Sequence, residues 1–168
     1  MERRRLAKTG MLRSAHMLGN EEEIIFTATD LLADTKLAPE LSNEAHYYRA
    51  KAYLDAGKTD GAMEDLKILA KDTRNVYGAE AKYKVAQIYF DGGQTDKAEQ
   101  EVLNYIEVST PHTYWLARSF VLLADVYMKL GRNLDAKQYL LSLKQNYQAD
   151  DDIAGMIESR LEKLKTEN

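Results

Sequence analysis

The sequence predicts an all-α fold, a solenoid of about four helix–turn–helix repeats closed by one C-terminal helix. Three observations carry this. A block of five features recurs three times at fixed internal offsets. Apolar stripes of helical period accompany each block, and no segment of convincing length alternates with period two. Composition agrees, because the 168 residues include only 2 Pro, are 45% hydrophobic and 30% charged, and run through long Ala/Leu/Glu/Lys-rich stretches.

The first copy of the block reads Ala50-x-x-Tyr53, then Gly57, then Ala62, Leu66 and Leu69. The second reads Ala86-x-x-Tyr89, Gly93, Ala98, Val102 and Tyr105, and the third Ala124-x-x-Tyr127, Gly131, Ala136, Leu140 and Leu143. Tyr53 to Tyr89 is 36 residues and Tyr89 to Tyr127 is 38, while Tyr to Gly is always 4 and Tyr to the second Ala always 9. Counting back 38 from the first copy finds a worn fourth one, with Leu12 and Ala15 on the Ala/Tyr positions, Gly19 on the turn, and Ile24, Ala28 and Leu31 on the second stripe. Each feature has a physical task. Ala and Tyr three apart share a helix face, where the small residue admits a neighbouring helix. The Gly ends the first helix in a left-handed conformation, and the Ala, i+4, i+7 row is the buried stripe of the second.

In chain order, the first helix spans about 4–18 and the second about 21–35, opened by Asn20 and Glu23 at capping-box spacing with Glu21 and Glu22 between them. The third spans about 40–56 behind Pro39, and the fourth about 59–72, with Thr59 as N-cap and Asp60 in its first turn. The fifth spans about 77–92 and the sixth about 95–108, with Thr95 and Asp96 in the same two places. Thr110-Pro111 reads as N-cap and N1 of a seventh helix at about 111–130, and Asn133 caps an eighth at about 133–147. The ninth, about 151–165, aligns Ile153, Met156, Ile157, Leu161 and Leu164 on one side. Asp150-Asp151-Asp152 ahead of it read as a cap with first-turn acids, since no second carboxylate cluster completes a cation site. The expected organisation is one array over 1–168, with repeats at about 4–35 (degenerate), 40–72, 77–108 and 111–147 before that last helix.

The small-x-x-Tyr, turn-Gly, Ala and large-apolar signature resembles the tetratricopeptide repeat (TPR) family over essentially residues 5–165. The periods of 36 and 38 in place of 34, the missing repeat-closing proline, and the aromatic end at Lys144-Gln145-Asn146-Tyr147 resemble the arrays of bacterial cell-envelope proteins. Those include outer-membrane assembly lipoproteins and partners of the Tol–Pal system. The resemblance implies a right-handed superhelix whose concave groove is lined by the first helix of each repeat. Matching rows are Tyr47, Lys51 and Leu54; Tyr83, Gln87 and Phe90; Val121, Asp125 and Met128; and Thr9, Arg13 and His16 in the worn copy. Aromatic and apolar groups beside single polar ones suit a docking peptide or helix, or else packing against adjoining helices. The family's charge clamp for acidic chaperone tails needs a Lys and Asn set. Its places hold Tyr47, Lys51, Lys84, Arg118 and Leu122, or Thr9, Arg13, Tyr48, Glu80 and Lys84 one repeat earlier, and neither frame supplies the set. The candidate groove residues are therefore Arg13, His16, Tyr47, Lys51, Leu54, Tyr83, Lys84, Gln87, Phe90, Val121, Asp125 and Met128.

Other function classes find little support. With no Cys there is no disulfide, thiolate metal site or thiol nucleophile. A net charge of −4 gives no electrostatic reason to expect nucleic acid. No apolar run approaches the roughly 18 residues of a membrane span, and the basic Met1–Lys8 segment is not followed by a signal-peptide core. His16, His46 and His112 lack the carboxylate spacing of metal helices, and His46 reads as a core packing residue. Gly92-Gly93 is a helix stop, and Tyr114-Trp115 anchors packing at a helix start. No catalytic, cofactor or metal residue is expected. The expectation is a non-catalytic scaffold binding a peptide or helix of a partner protein. The alternative is a structural spacer or oligomerisation module in the C-terminal part of a longer bacterial envelope protein, self-associating through exposed repeat ends. The compartment follows from that choice: periplasm or envelope for a fragment, cytoplasm otherwise.

Overall fold

The structure, a computed structural model, describes residues 1–108 and 110–166. Among the described residues it contains nine α-helices and no strand: α1 (Glu2–Leu18), α2 (Glu21–Leu32), α3 (Pro39–Asp55), α4 (Thr59–Leu69), α5 (Val76–Asp91), α6 (Thr95–Glu107), α7 (Thr113–Lys129), α8 (Asn133–Asn146) and α9 (Ile153–Thr166). The chain divides into two compact units, Met1–Asp72 and Thr73–Asn168.

The turn glycines do what their spacing requires. Gly19, Gly57, Gly93 and Gly131 all sit at positive φ, between 67° and 78°. In each case the glycine N–H donates to the carbonyl three residues back, and the next N–H donates to the carbonyl five residues back. Gly57 thus donates to Leu54 O (3.1 Å) and Lys58 to Tyr53 O (2.7 Å), and Gly131 donates to Met128 O (3.1 Å) and Arg132 to Tyr127 O (2.8 Å). This is the paired closure of a helix C-terminus that only a left-handed residue permits cheaply. The worn first copy has it too, through Gly19 to His16 O and Asn20 to Ala15 O, so it is a genuine repeat turn.

The same turns move the expected caps. Lys58, Gln94 and Arg132, not Thr59, Thr95 and Asn133, are the N-cap residues, and none caps with its side chain. The residue after each glycine is already tied back to the preceding helix and out of helical conformation, so it takes the cap position and the following helix begins at Thr59, Thr95 or Asn133, as the spacing predicts. Asn20 fills both roles. Its N–H closes α1 while its Oδ1 accepts the Glu23 N–H (3.2 Å), leaving half of the expected capping box. Thr110 does not cap α7, which begins at Thr113. Its hydroxyl instead donates to Thr73 O (2.7 Å) and accepts the His112 N–H (3.1 Å), pinning the loop ahead of the helix. Helices α2 and α4 end three residues earlier than expected, α2 because Asp34 turns back to accept the Lys36 N–H (2.9 Å) and pair with Arg5.

In the first unit α2 packs against both α1 and α3, and α3 against α4. Leu12, Ala15, Ile24, Ala28, Leu31, Ala45 and Ala52 form the shared core. In the second unit α7 is central, in contact with α5, α6, α8 and α9. Its core joins Val102, Leu122, Leu123, Val126, Leu140, Ile153 and Ile157. The six signature alanines, Ala50, Ala62, Ala86, Ala98, Ala124 and Ala136, are all within 1% of complete burial. That is the outcome the repeat arithmetic requires, because helices approach closely only where a methyl group is the largest side chain.

Candidate functional site

The groove residues are best taken unit by unit. In the first unit they lie on α1 and α3 and are brought together there. Arg13 makes a two-pronged contact with Glu44, Nε to Oε1 at 2.7 Å and Nη2 to Oε2 at 2.9 Å. The His16 ring stacks on Tyr48 at 4.2 Å, Tyr47 leans against Tyr48 at 5.9 Å, and the Lys51 ammonium lies 5.3 Å from the Tyr47 ring centre. Leu54, farther along α3, is half-buried. The result is an aromatic and cationic surface joining two first helices.

A buried carboxylate supports this surface. Asp65 on α4 is 1% exposed and accepts from Arg49 Nη2 (2.7 Å) and Nε (2.9 Å) and from His46 Nδ1 (2.7 Å), while Arg49 Nη1 donates to Thr29 Oγ1 (3.0 Å). Burial alone would push the Asp65 carboxyl up, but the hydrogen bonds from His46 and Arg49 outweigh it and hold the group below its ordinary range. Three helices, α2, α3 and α4, are thereby clamped at one point. Sequence reasoning assigned His46 to core packing and passed over Asp65, whose partners are 16 and 19 residues away on another helix.

In the second unit the groove residues separate into three kinds. Val121 is 2% exposed and belongs to the core. Tyr83 is 6% exposed, and its contribution is its hydroxyl, which accepts from Arg118 Nη2 (2.9 Å) and donates to Gln87 Oε1 (2.9 Å). Gln87 passes the chain on to Asp91 (2.8 Å). The Arg118 guanidinium also reaches Tyr114 Oη at 3.0 Å and lies 4.9 Å from the Tyr83 ring centre, which stacks at 5.7 Å on Trp115. Burial raises the Tyr83 hydroxyl pKa, Arg118 opposing it in part. Lys84 is half-buried on the same helix.

The third kind lines a cavity. Phe90, Asp125 and Met128 meet there with Lys129, Ser159, Arg160 and Lys163 around about 470 Å³. Arg160 grips Asp125 through two bonds, Nε to Oδ1 at 2.7 Å and Nη2 to Oδ2 at 2.9 Å. Lys129 and Lys163 make no ion pair among the described residues, so the cavity couples two apolar walls to an excess of positive charge. Arg160 and Lys163 come from α9, which the sequence presents only as a closing helix. Their approach to α7 depends on how α9 packs, and no motif marks it. Among the described residues no group of His, Asp and Glu could hold a metal ion, and no helix is long and apolar enough to cross a membrane.

Residues 44–72 and residues 117–145 each match a tetratricopeptide repeat family model. These segments correspond to most of α3–α4 and of α7–α8. No curated protein matches the sequence. Among solved structures, MamA resembles the chain at 20% identity over 94% of this chain and 96% of that one, with a TM-score of 0.61. The nearly identical TPR-like repeats of a Podosopora anserina protein resemble it at 16% identity over 97% of this chain, covering 93% and 94% of two crystallised forms with TM-scores of 0.59 and 0.57. At such identities the likeness is one of fold. Two segments of the chain thus carry tetratricopeptide repeats, and among the described residues the fold around them is all-helical, like that of these TPR-like structures.

Proposed function

We propose that this chain is a non-catalytic scaffold that binds a peptide or helical segment of a partner protein on the faces of its first helices. The observation that carries the reading is the cavity of the second unit. Phe90 and Met128 offer a seat for one large apolar side chain, and Lys129 and Lys163 stand beside it with no ion pair of their own among the described residues, Asp125 being held by Arg160. A bound segment would place an aliphatic or aromatic residue between the two walls and a carboxylate toward the lysines. The aromatic surface of Tyr47, Tyr48 and His16 offers the first unit a comparable face.

The test is a peptide array probed with the wild-type chain and with a Phe90→Ala/Met128→Ala variant. Peptides that pair an acidic residue with a large apolar one should be retained by the wild type. They should lose about 2 kcal/mol of affinity, roughly thirtyfold, when both walls are cut back. Unchanged capture by the variant would refute the assignment. The periods of 36 and 38 residues support a bacterial cell-envelope setting, which localisation of the tagged native protein would test.

A further inference from the structure

The exposed apolar residues are unevenly distributed. On α1 and the start of α2, Leu6 is 69% exposed, Met11 50%, Met17 86%, Leu18 82% and Phe26 68%. Four of these belong to the side of α1 facing away from the buried Leu12 and Ala15. Along the middle of that side run Arg3, Ala7, Gly10, Ser14 and Met17, at successive spacings of 4, 3, 4 and 3, the seam of a helix that packs lengthwise on another helix. On its flank toward α2 the seam opens into a groove of about 460 Å³ among Gly10, Met11, Ser14, Ala15, Leu18, Asn20 and Glu23. A Cβ placed on Gly10 would meet nothing within 4 Å, so the floor of the groove lies open to a second helix at close range.

The charges on this face identify the occupant. At one end stand Arg3 and Arg4, exposed and without an ion pair among the described residues, whereas Arg5 and Lys8 are engaged with Asp34 and Asp30. At the other end, past the Gly19 turn, stand Glu22 and Glu23, and Glu23 lines the groove itself. A face that is basic at one end, apolar in the middle and acidic at the other is complementary to itself when reversed. We propose that a second copy of this chain docks antiparallel on α1, forming a two-fold dimer. Pairing centred between Gly10 and Ser14 sets Arg3 and Arg4 of each copy opposite Glu22 and Glu23 of the other. It also interleaves Met11 and Leu18 across the seam. A parallel pairing would set arginine against arginine. The contact is isologous and therefore closes at two copies. A helix of 17 residues is about 25 Å long, which places the interface below or at the low end of the roughly 1,200–2,000 Å² of standard ones, so the dimer dissociates on dilution.

Sedimentation velocity over a dilution series tests this. The wild type should move from twice the chain mass of 19.1 kDa toward that mass as it is diluted. Met11→Glu/Leu18→Glu, at two exposed positions, should remain at the single-chain mass throughout. Arg3→Glu/Arg4→Glu should dimerise at least tenfold more weakly, and so should Glu22→Arg/Glu23→Arg. An equimolar mixture of these two variants should recover a heterodimer, because both ends then pair opposite charges, one of them inverted relative to the wild type, and the fourfold variant carrying both reversals should recover the wild-type constant. A wild type that keeps the single-chain mass at every concentration overturns the proposal. So does a dimer that survives Met11→Glu/Leu18→Glu, or one indifferent to charge reversal, since each places the contact elsewhere or in another orientation.

Discussion

Removing the Asp65 carboxylate should destabilise the first unit more than any other single polar change in it. The side chain is 1% exposed and receives three hydrogen bonds, two from the Arg49 guanidinium and one from His46 Nδ1. Asp65→Ala leaves that guanidinium, itself only 18% exposed, with Thr29 as its one remaining partner among the contacts that define the clamp. Breaking one side of a buried ion pair costs about 3–5 kcal/mol. Arg49's residual access to water and the Thr29 bond place the expected loss near the lower end. Even so, about 3 kcal/mol is a large part of the 5–15 kcal/mol that holds an ordinary domain together. Asp65→Asn, which keeps an acceptor without its charge, should cost less, about 1–3 kcal/mol. Arg49→Met/Asp65→Leu, which removes both charges, should cost less than Asp65→Ala alone. Urea unfolding followed by circular dichroism gives the magnitudes, and hydrogen exchange on α3 and α4 localises them. Acid supplies an independent check. The folded carboxyl lies below its unfolded value of about 4. Its stabilisation is therefore present above that value and lost as pH falls through the lowered folded one. Asp65→Ala should flatten this part of the acid-unfolding curve. A loss below 1 kcal/mol, or an unchanged acid limb, would refute the clamp.

Three further outcomes are expected. Ala98→Leu forces a larger side chain into a fully buried position between helices and should cost about 1–3 kcal/mol by overpacking; an unaltered urea midpoint would contradict the repeat register. Gly131→Ala meets no atom within 4 Å, so its cost is that of the left-handed backbone alone, about 1–2 kcal/mol, and a neutral result would show that the turn relaxes. The Tyr127 hydroxyl, pushed up to about 12 by burial and then by Glu99, should stay protonated when exposed tyrosines ionise near pH 10. Because its folded value is raised, its contribution to stability is intact below pH 10 and declines between there and about pH 12. A spectrophotometric titration comparing wild type with Tyr127→Phe should show the missing late-titrating group.

What the sequence disclosed and what it hid have distinct physical origins. The glycine turns and the buried alanines were legible because each is a local requirement. A left-handed residue and a methyl-sized contact can be met by few amino acids, so their spacing survives as a pattern. The starts of the second helices at 59, 95 and 133 were legible too, but their cap residues lie one position earlier than the sequence suggests. Thr59, Thr95 and Asn133 are good caps, but the backbone closure at the preceding glycine had already fixed the helix boundary. Val121 satisfied the groove spacing yet is 2% exposed, because spacing fixes the side of a helix and not what packs against it. Asp65, Arg160 and Lys163 were not legible at all. The partners of Asp65 lie 16 and 19 residues away and the partner of Arg160 lies 35 away, and long-range pairing of charges leaves no periodic trace.

The closure at Gly19, Gly57, Gly93 and Gly131 also bears on how such a chain tolerates changes of length. Two backbone bonds tie each turn to carbonyls three and five positions earlier, so one inserted or deleted residue there would sever both and rotate the following helix by about 100°. Among the described residues the stretches between repeats show turn bonds but no pair reaching three and five positions back. The copies accordingly keep 4 residues from Ala15 or Tyr to Gly in every case, while the distance from one copy to the next moves between 36 and 38. Changes of length are thus expected in the connections between repeats, and a linker inserted between Leu37 and Ala38, past the turn that Asp34 holds, should be accepted where the same insertion at 57–58 would not.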